Sequence, residues 1–276
     1  MWNIYGWSEW KKEHMVLSWL AASEYDDNYW KDNFATHLYM NYEHSKIEKY
    51  INIKENKSTA LDIWCGTGKY AFYMGGYFNQ VIGYDFSPEM ISVANKNKLI
   101  GWFQNIDFYV HDIENGIPCE NNSISFINLS FGMWSFVKDI HKLYNEVYRV
   151  LEVGGIAVFS FYNSEAFINT LDIQWKPSLW ARYSKENEDL EVSLNGHVYK
   201  IKARGYSVDE IHTITNTYFW DQSVLELNTF PTMSALLPKN FISQKRIIDL
   251  CIKIDSAFAN DHGIAGGAYI LSVCKK

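Results

Sequence analysis

Asp62, Cys65, Gly66, Thr67 and Gly68 crowd into one short stretch after an apolar run, Ala60-Leu61-Asp62-Ile63. Lys69-Tyr70-Ala71-Phe72-Tyr73-Met74 follows with helical character. Strand, glycine turn and helix make the unit that brings a backbone against a nucleotide-like ligand. Glycine suits it because a Cβ would block the approach and because such a turn uses positive φ. Trp64 stands in the same turn, where a small residue is expected. Read literally, Gly66-Thr67-Gly68-Lys69-Tyr70-Ala71 also fits the G-x-G-x-x-A form of the dinucleotide fingerprint.

The elements that must position these residues alternate. Gln80–Asp85 reads as a second buried strand ending in a carboxylate. Ser87 caps and Pro88 opens a helix to about Asn97. Ile106–Val110 is a third strand, closed by His111-Asp112, and Ile124–Leu129 a fourth. A helix over His141–Leu151, a turn at Glu152-Val153-Gly154-Gly155 and a fifth strand over Ile156–Phe161 complete the alternation. Strand alternating with helix predicts a doubly wound α/β domain with a mostly parallel sheet, its ligand at the carboxyl ends of the strands. Residues 1–57 form a helical prelude, with segments over Glu9–Leu20 and about Tyr29–Ile51 flanking the polar break Glu24-Tyr25-Asp26-Asp27-Asn28. The second segment puts Phe34, Leu38, Tyr42, Ile47 and Ile51 on one face. Residues 163–205 break the pattern, and Asn195-Gly196 between two alternating runs predicts an inserted β-hairpin over the open edge of the cleft. Residues 206–276 resume the core with a helix capped by Ser207, a strand around Thr217–Leu227, a helix from about Gln244 to Phe258 and a last strand over Ala268–Val273.

Composition narrows the function. The chain has 276 residues and a net charge of −7, with its basic residues scattered. That argues against nucleic acid, whose phosphates need clustered cations. The four cysteines form no CxxC pair and lie at no zinc-ligand spacing, so a reducing, cytoplasmic setting is expected and no metal. No basic segment leads an apolar core at the start, and no apolar run is long enough to span a bilayer, so neither a signal peptide nor a membrane partner is expected. Aromatic residues reach 17%, which suits a filled core or an aromatic-lined pocket.

Four motifs occur in order: Asp62-Ile63-Trp64-Cys65-Gly66-Thr67-Gly68; Asp85 followed by Ser87-Pro88-Glu89-Met90; Asp112 after the third strand; and Arg149-Val150-Leu151 with Gly154-Gly155 before the fifth. Together they resemble the class I S-adenosylmethionine-dependent methyltransferase superfamily, in its small-molecule members, over about residues 58–162. The resemblance implies a doubly wound, mostly parallel seven-stranded sheet of the Rossmann-like methyltransferase type. It implies S-adenosylmethionine as cofactor, with Asp85 on the ribose hydroxyls and Phe86 and Met90 alongside. Asp112 would accept from the adenine amino group, with Ile113 against the ring. Asp62, Cys65, Gly66 and Gly68 would serve the methionine moiety, Ser130 would border the sulfonium, and Tyr25 would close over the methionine end. Trp64 departs from the family's glycine, and its indole either turns into a neighbouring groove or takes cofactor space.

Methyl transfer from a sulfonium is an in-line displacement, so alignment and water exclusion matter more than a dedicated base. His37 and His14 are the candidate bases, each equally an ordinary helix histidine. Phe131, Trp134, Tyr162, Trp175 and Trp180 would form the acceptor pocket, which suits a small apolar or amine-bearing metabolite. Three other readings stay open: a non-methylating enzyme on this fold, such as a cyclase or isomerase, motivated by Trp64; an NAD-dependent oxidoreductase, from the literal fingerprint; and a non-catalytic partner of another methyltransferase. Oligomeric state is not legible.

Overall fold

Short runs of Val, Ile, Leu and Phe, buried on both faces, can only be the middle of a covered parallel sheet. The structure, a computed structural model, describes residues 34–166, 181–184, 186–194, 197–219, 224–230 and 267–276 and a few single positions. In chain order come α1 (Phe34–Ile53), β1 (Thr59–Ile63), α2 (Lys69–Gly75), β2 (Gln80–Asp85), α3 (Pro88–Ile100) and β3 (Ile106–Val110). Next are β4 (Ile124–Leu129), α4 (Ile140–Val150) and β5 (Leu151–Tyr162). Then follow β6 (Ala181–Ser184), β7 (Asp189–Leu194), β8 (His197–Lys202), α5 (Val208–Phe219), β9 (Val224–Phe230) and β10 (Tyr269–Lys275).

The main sheet has seven strands in the order β3-β2-β1-β4-β5-β10-β9, of the mostly parallel α/β class that the sequence predicts. β1 pairs in parallel with both β2 and β4, in registers such as Leu61↔Ile82 and Leu61↔Ile127. β10 runs antiparallel between β5 and β9. Strand order reverses at β1 and β4, so the crevice of this fold lies at their carboxyl ends. The glycine turn, Asp85, Ser130 and Tyr162 all follow strands at that edge.

Local chemistry sets the helix starts. Ser87 caps α3 by accepting from Met90 N at 3.3 Å, with Pro88 in the first turn. Ser207 and Glu210 make a reciprocal capping box at α5, Glu210 N to Ser207 Oγ at 3.1 Å and Ser207 N to Glu210 Oε2 at 2.9 Å. α4 buries Ile140, Leu143, Tyr144, Val147 and Val150 at helical spacing against β5. Arg149 ends that helix by donating to the Ile117 and Cys119 carbonyls and to Glu146. The Arg149 motif is therefore a brace for the loop before β4.

Four expectations shift. Residues 217–219 are the end of α5, because its capping box drives a helix that buries Ile211, Thr215 and Phe219; the strand starts at Val224. The glycine pair at 154–155 lies inside β5, where Gly154 takes φ 77 and donates to the Lys276 carbonyl at 2.7 Å. α1 buries Ile47 and Ile51 as expected, together with Tyr39, Met40, Glu43 and Tyr50, while Tyr42 is only partly buried. β7 and β8 pair around the Asn195-Gly196 position and add a third strand, β6, on the far side of β7. The turn at 195–196, the segment Glu9–Leu20, the break at 24–28 and most of the 244–258 helix lie outside the described residues.

Gly68 shows what the turn demands. It holds φ +91, and a Cβ there would sit 2.6 Å from the Phe108 ring and 2.9 Å from Phe72. Gly68→Ala combines a disfavoured backbone with overpacking and is expected to cost about 2 kcal/mol or more, read as a lowered denaturation midpoint with an unchanged m-value.

Candidate functional site

Three residues in the turn after β1 have left-handed backbones: Trp64 at φ 54, Gly66 at φ 53 and Gly68 at φ 91. Two of the three are glycines; Trp64 holds that conformation at a cost of order 1–3 kcal/mol. Its indole is buried and meets Phe86 edge-on, ring centroids 6.4 Å apart. Over Gly66 the space stays open, since a Cβ would meet nothing within 4 Å. The protein around Gly66 thus leaves a cradle, and Trp64 builds one wall of it with Phe86. At Gly68 the missing Cβ also makes room for Phe108 behind the turn.

The turn is tied to β2 by charge-assisted bonds. Gly66 N donates to Asp85 Oδ2 at 2.9 Å, and Ser87 N to Asp85 Oδ1 at 2.8 Å. Each oxygen retains a lone pair for a further donor. Burial pushes the Asp85 carboxyl up to about 6, against the pull of these two amides. Asp62 is buried at the end of β1, where Asn128 Nδ2 donates to its Oδ1 at 2.8 Å and Ser130 Oγ donates in turn to Asn128. Its Oδ2 is buried without a hydrogen bond in the protein. Burial pushes Asp62 up to about 7, opposed by the hydrogen bonds from Asn128 and from the Ala71 amide. Cys65 lies beside both; burial raises its thiol, which suits a packing role and not a nucleophile. Met90 and Ile113 are buried nearby, and Asp112 caps the 3-10 turn Ile113–Asn115 by accepting from Glu114 N at 3.2 Å. His111 points away from the cleft, donating from Nε2 to the Gly116 carbonyl at 2.8 Å.

The loop after β4 carries two more left-handed residues, Phe131 at φ 66 and Gly132 at φ 70. Their amides are captured by side chains from elsewhere. Phe131 N donates to Glu43 Oε1 at 3.1 Å, and Gly132 N to Ser160 Oγ at 2.6 Å. Phe131, Tyr39, Tyr269, Tyr162 and Tyr183 form a chain of neighbouring rings, the last pair stacked at 6.2 Å. Trp134 is a correction: it is fully buried against Tyr144 and Phe159, at 4.6 and 4.5 Å, because the turn Met133–Phe136 folds it between α4 and β5. His14, Tyr25, Trp175 and Trp180 lie outside the described residues; His37 lies on α1.

Glu43, Tyr39, Tyr70, Asn128 and Ser160 belong to the site and are not legible from the motifs. Glu43 had one signal, an acid four residues from Tyr39 and Ile47 on a face that buries both. Among the described residues none of Glu43, Asp62 and Asp85 forms an ion pair.

Residues 61–159 match a family model described as a methyltransferase domain. Demethylmenaquinone methyltransferase of Oceanobacillus iheyensis is 34% identical over 113 residues, covering 40% of this chain and 46% of that protein. Malonyl-[acyl-carrier protein] O-methyltransferase 1 of Ilyobacter polytropus is 28% identical over 156 residues, covering 54% of this chain and 56% of that one. The chain thus spans about half the length of these curated relatives. A solved complex of DhpI with SAM and HEP superposes with a TM-score of 0.57 at 14% identity, over 98% of this chain and all of that one, a likeness of fold.

Asp62 keeps its proton in the fold at pH values where the unfolded chain has lost it, so the folded state binds more protons there. Stability of the ligand-free protein is therefore expected to fall as pH rises from about 4 to about 7. Denaturant unfolding across that range should show the decline, and Asp62→Asn should make it shallower, leaving the share of Asp85.

Proposed function

Taking residues 61–159 as a methyltransferase domain of the class I S-adenosylmethionine-dependent superfamily, we propose that the chain transfers a methyl group from S-adenosylmethionine to a small apolar or amine-bearing metabolite. The single observation that carries this is the left-handed turn, open over Gly66 and flanked by two buried carboxyl groups with no ion pair among the described residues. Such a site suits a ligand that brings hydroxyl donors to one carboxylate and positive charge to the other. Asp85, oriented by the amides of Gly66 and Ser87, accepts the ribose hydroxyls with its remaining lone pairs. Asp62, through its unbonded Oδ2, faces the methionine ammonium directly or through a water. Asp112 and Ile113 hold the adenine, beside Phe86 and Met90. When bound, the cofactor supplies an electrophilic methyl on sulfur; the protein's part is to align the acceptor and keep water out.

The acceptor lies against Phe131 and Tyr162, with Tyr269 and Tyr183 extending the aromatic wall. Those faces favour a planar or amine-bearing molecule, and the net charge of −7 disfavours a polyanion. Residues 1–57 serve as the cap, 163–205 as the cover on the acceptor side, and 206–276 as the completion of the sheet. The setting is the cytoplasm, which suits the free thiols of Cys65, Cys119 and Cys274. No described helix is long and apolar enough to cross a membrane.

Calorimetric titration tests the reading. S-adenosylhomocysteine is expected to bind the wild-type protein, and Asp85→Ala to weaken it by about 10- to 100-fold, as loss of hydrogen bonds to a charged group implies. Trp64→Gly is the second arm. Because the indole rests on Phe86, the wild type should bind without it; binding seen only in the glycine variant would overturn the assignment. A labelled-methyl assay over a panel of small phenols, quinols and amines then identifies the acceptor.

A further inference from the structure

Glu43 is the least explained charge in the molecule. It is fully buried on α1, in a part of the chain that none of the motifs reaches. Three elements meet on it. The Tyr39 hydroxyl, one turn back on α1, donates to Oε1 at 2.8 Å; the Phe131 amide, from the loop after β4, donates to the same oxygen at 3.1 Å. The Tyr70 hydroxyl, from the first turn of α2, donates to Oε2 in a very short bond. Ser160 of β5 joins the same group, linked to Tyr39 at 3.2 Å. Among the described residues every such contact is a neutral donor, and none is a lysine, arginine or histidine. Burial pushes the Glu43 carboxyl above its ordinary range, and the hydrogen bonds from Tyr70, the Phe131 amide, Tyr39 and Ser160 pull it back toward the ionised form; donors converging on both oxygens suit an acceptor-only carboxylate.

Neutral dipoles hold an anion without cancelling its charge. In a dry interior that charge acts over several ångströms, and burying it costs several kcal/mol that its hydrogen bonds only partly return. The position is specific. Glu43 sits where the end of β4, the end of β5 and the start of α2 converge, at the carboxyl-edge crevice. Asp62 is near enough to feel its charge. Phe131, whose amide it captures, stands at the boundary between the cofactor cradle and the aromatic wall.

We propose that Glu43 is the counter-charge that lets the site distinguish a sulfonium from a thioether, favouring S-adenosylmethionine over S-adenosylhomocysteine. It is a positioning residue: its oxygens are occupied by Tyr39, Tyr70 and Phe131, and it acts on the cofactor through its field. The two ligands differ by a methyl group and one positive charge on sulfur, so a nearby buried anion binds the first more tightly and releases the second. This inference rests on the methyltransferase reading above.

The test is the ratio of the two dissociation constants, measured by calorimetry for wild type, Glu43→Gln and Tyr70→Phe. Glu43→Gln should lower the preference for S-adenosylmethionine by about tenfold or more, while affinity for S-adenosylhomocysteine changes by less than about threefold. Tyr70→Phe removes a donor and keeps the charge, so its preference should remain that of the wild type. Equal weakening of both ligands in Glu43→Gln, an unchanged ratio, or an equal loss of preference in Tyr70→Phe would overturn the inference and leave Glu43 as a strut. If a thermal melt shows Glu43→Gln unfolded, Glu43→Asp is read in the same way. It retains the charge but withdraws it by one methylene, so the preference should fall by a smaller factor, and an unchanged ratio overturns the inference. Failure of the wild type to bind either ligand would overturn the functional reading, and this inference with it. Binding of both with the wrong ratios overturns the inference alone.

Discussion

Three carboxyl groups, Glu43, Asp62 and Asp85, are held in the interior at one edge of the sheet with no described cation opposite them. Much of the local architecture follows from that constraint. A buried acid needs donors, and here they come from backbone and neutral side chains: the amides of Gly66 and Ser87 for Asp85, Asn128 for Asp62, two tyrosines and the Phe131 amide for Glu43. Each bond ties a different element to the crevice. The glycine turn is fastened to β2, the end of β4 to β1, and the prelude helix to both α2 and the β4 loop. The groups that hold the charges are therefore also the ones that fix the shape of the site.

Backbone strain gathers at the same edge. Trp64 and Phe131 are bulky residues in the left-handed region, one after β1 and the other after β4, the two strands that flank the switch point. Both are held there by bonds to a neighbour: Cys65 N continues the ladder onto the Tyr84 carbonyl at 3.0 Å, and Glu43 captures the Phe131 amide. Trp64 keeps the backbone a glycine would have and sends its side chain to Phe86. A departure from the motif in residue type is thus compatible with an open cradle, because the cradle is made by backbone geometry at Gly66.

The periphery leans on the site through aromatic rings. Tyr183, on the small three-stranded sheet, stacks on Tyr162 at the end of β5, and Tyr162 meets Tyr269 on β10. Tyr269 meets Tyr39 on the prelude helix at 4.0 Å. Parts of the chain more than a hundred residues apart therefore share one apolar wall. This gives the high aromatic content a specific use, alongside the filled core around Trp134, Tyr144 and Phe159.

The amino-acid order by itself determined the central elements. β2, β3 and β4 have the predicted bounds, because each is a short run rich in β-forming residues that ends at turn residues, with β4 buried throughout at the centre of the sheet and β3 half exposed at its edge. It also determined the glycine turn, the Ser87 and Ser207 caps and the carboxylate at the end of β2, since each rests on neighbours within a few residues. Tertiary structure alone decided the rest. The last turn of α5, residues 217–219, reads locally as the start of a strand because Thr and Tyr suit either state, and burial of Ile211, Thr215 and Phe219 carried the Ser207-capped helix on to Phe219. Trp134 reads as a pocket residue until the turn carrying it folds inward. Glu43 could not be assigned, because its meaning comes from Phe131, 88 residues away, and from Tyr70 on another helix. Periodicity reports which face of a helix is buried; only the packed molecule shows what that face meets.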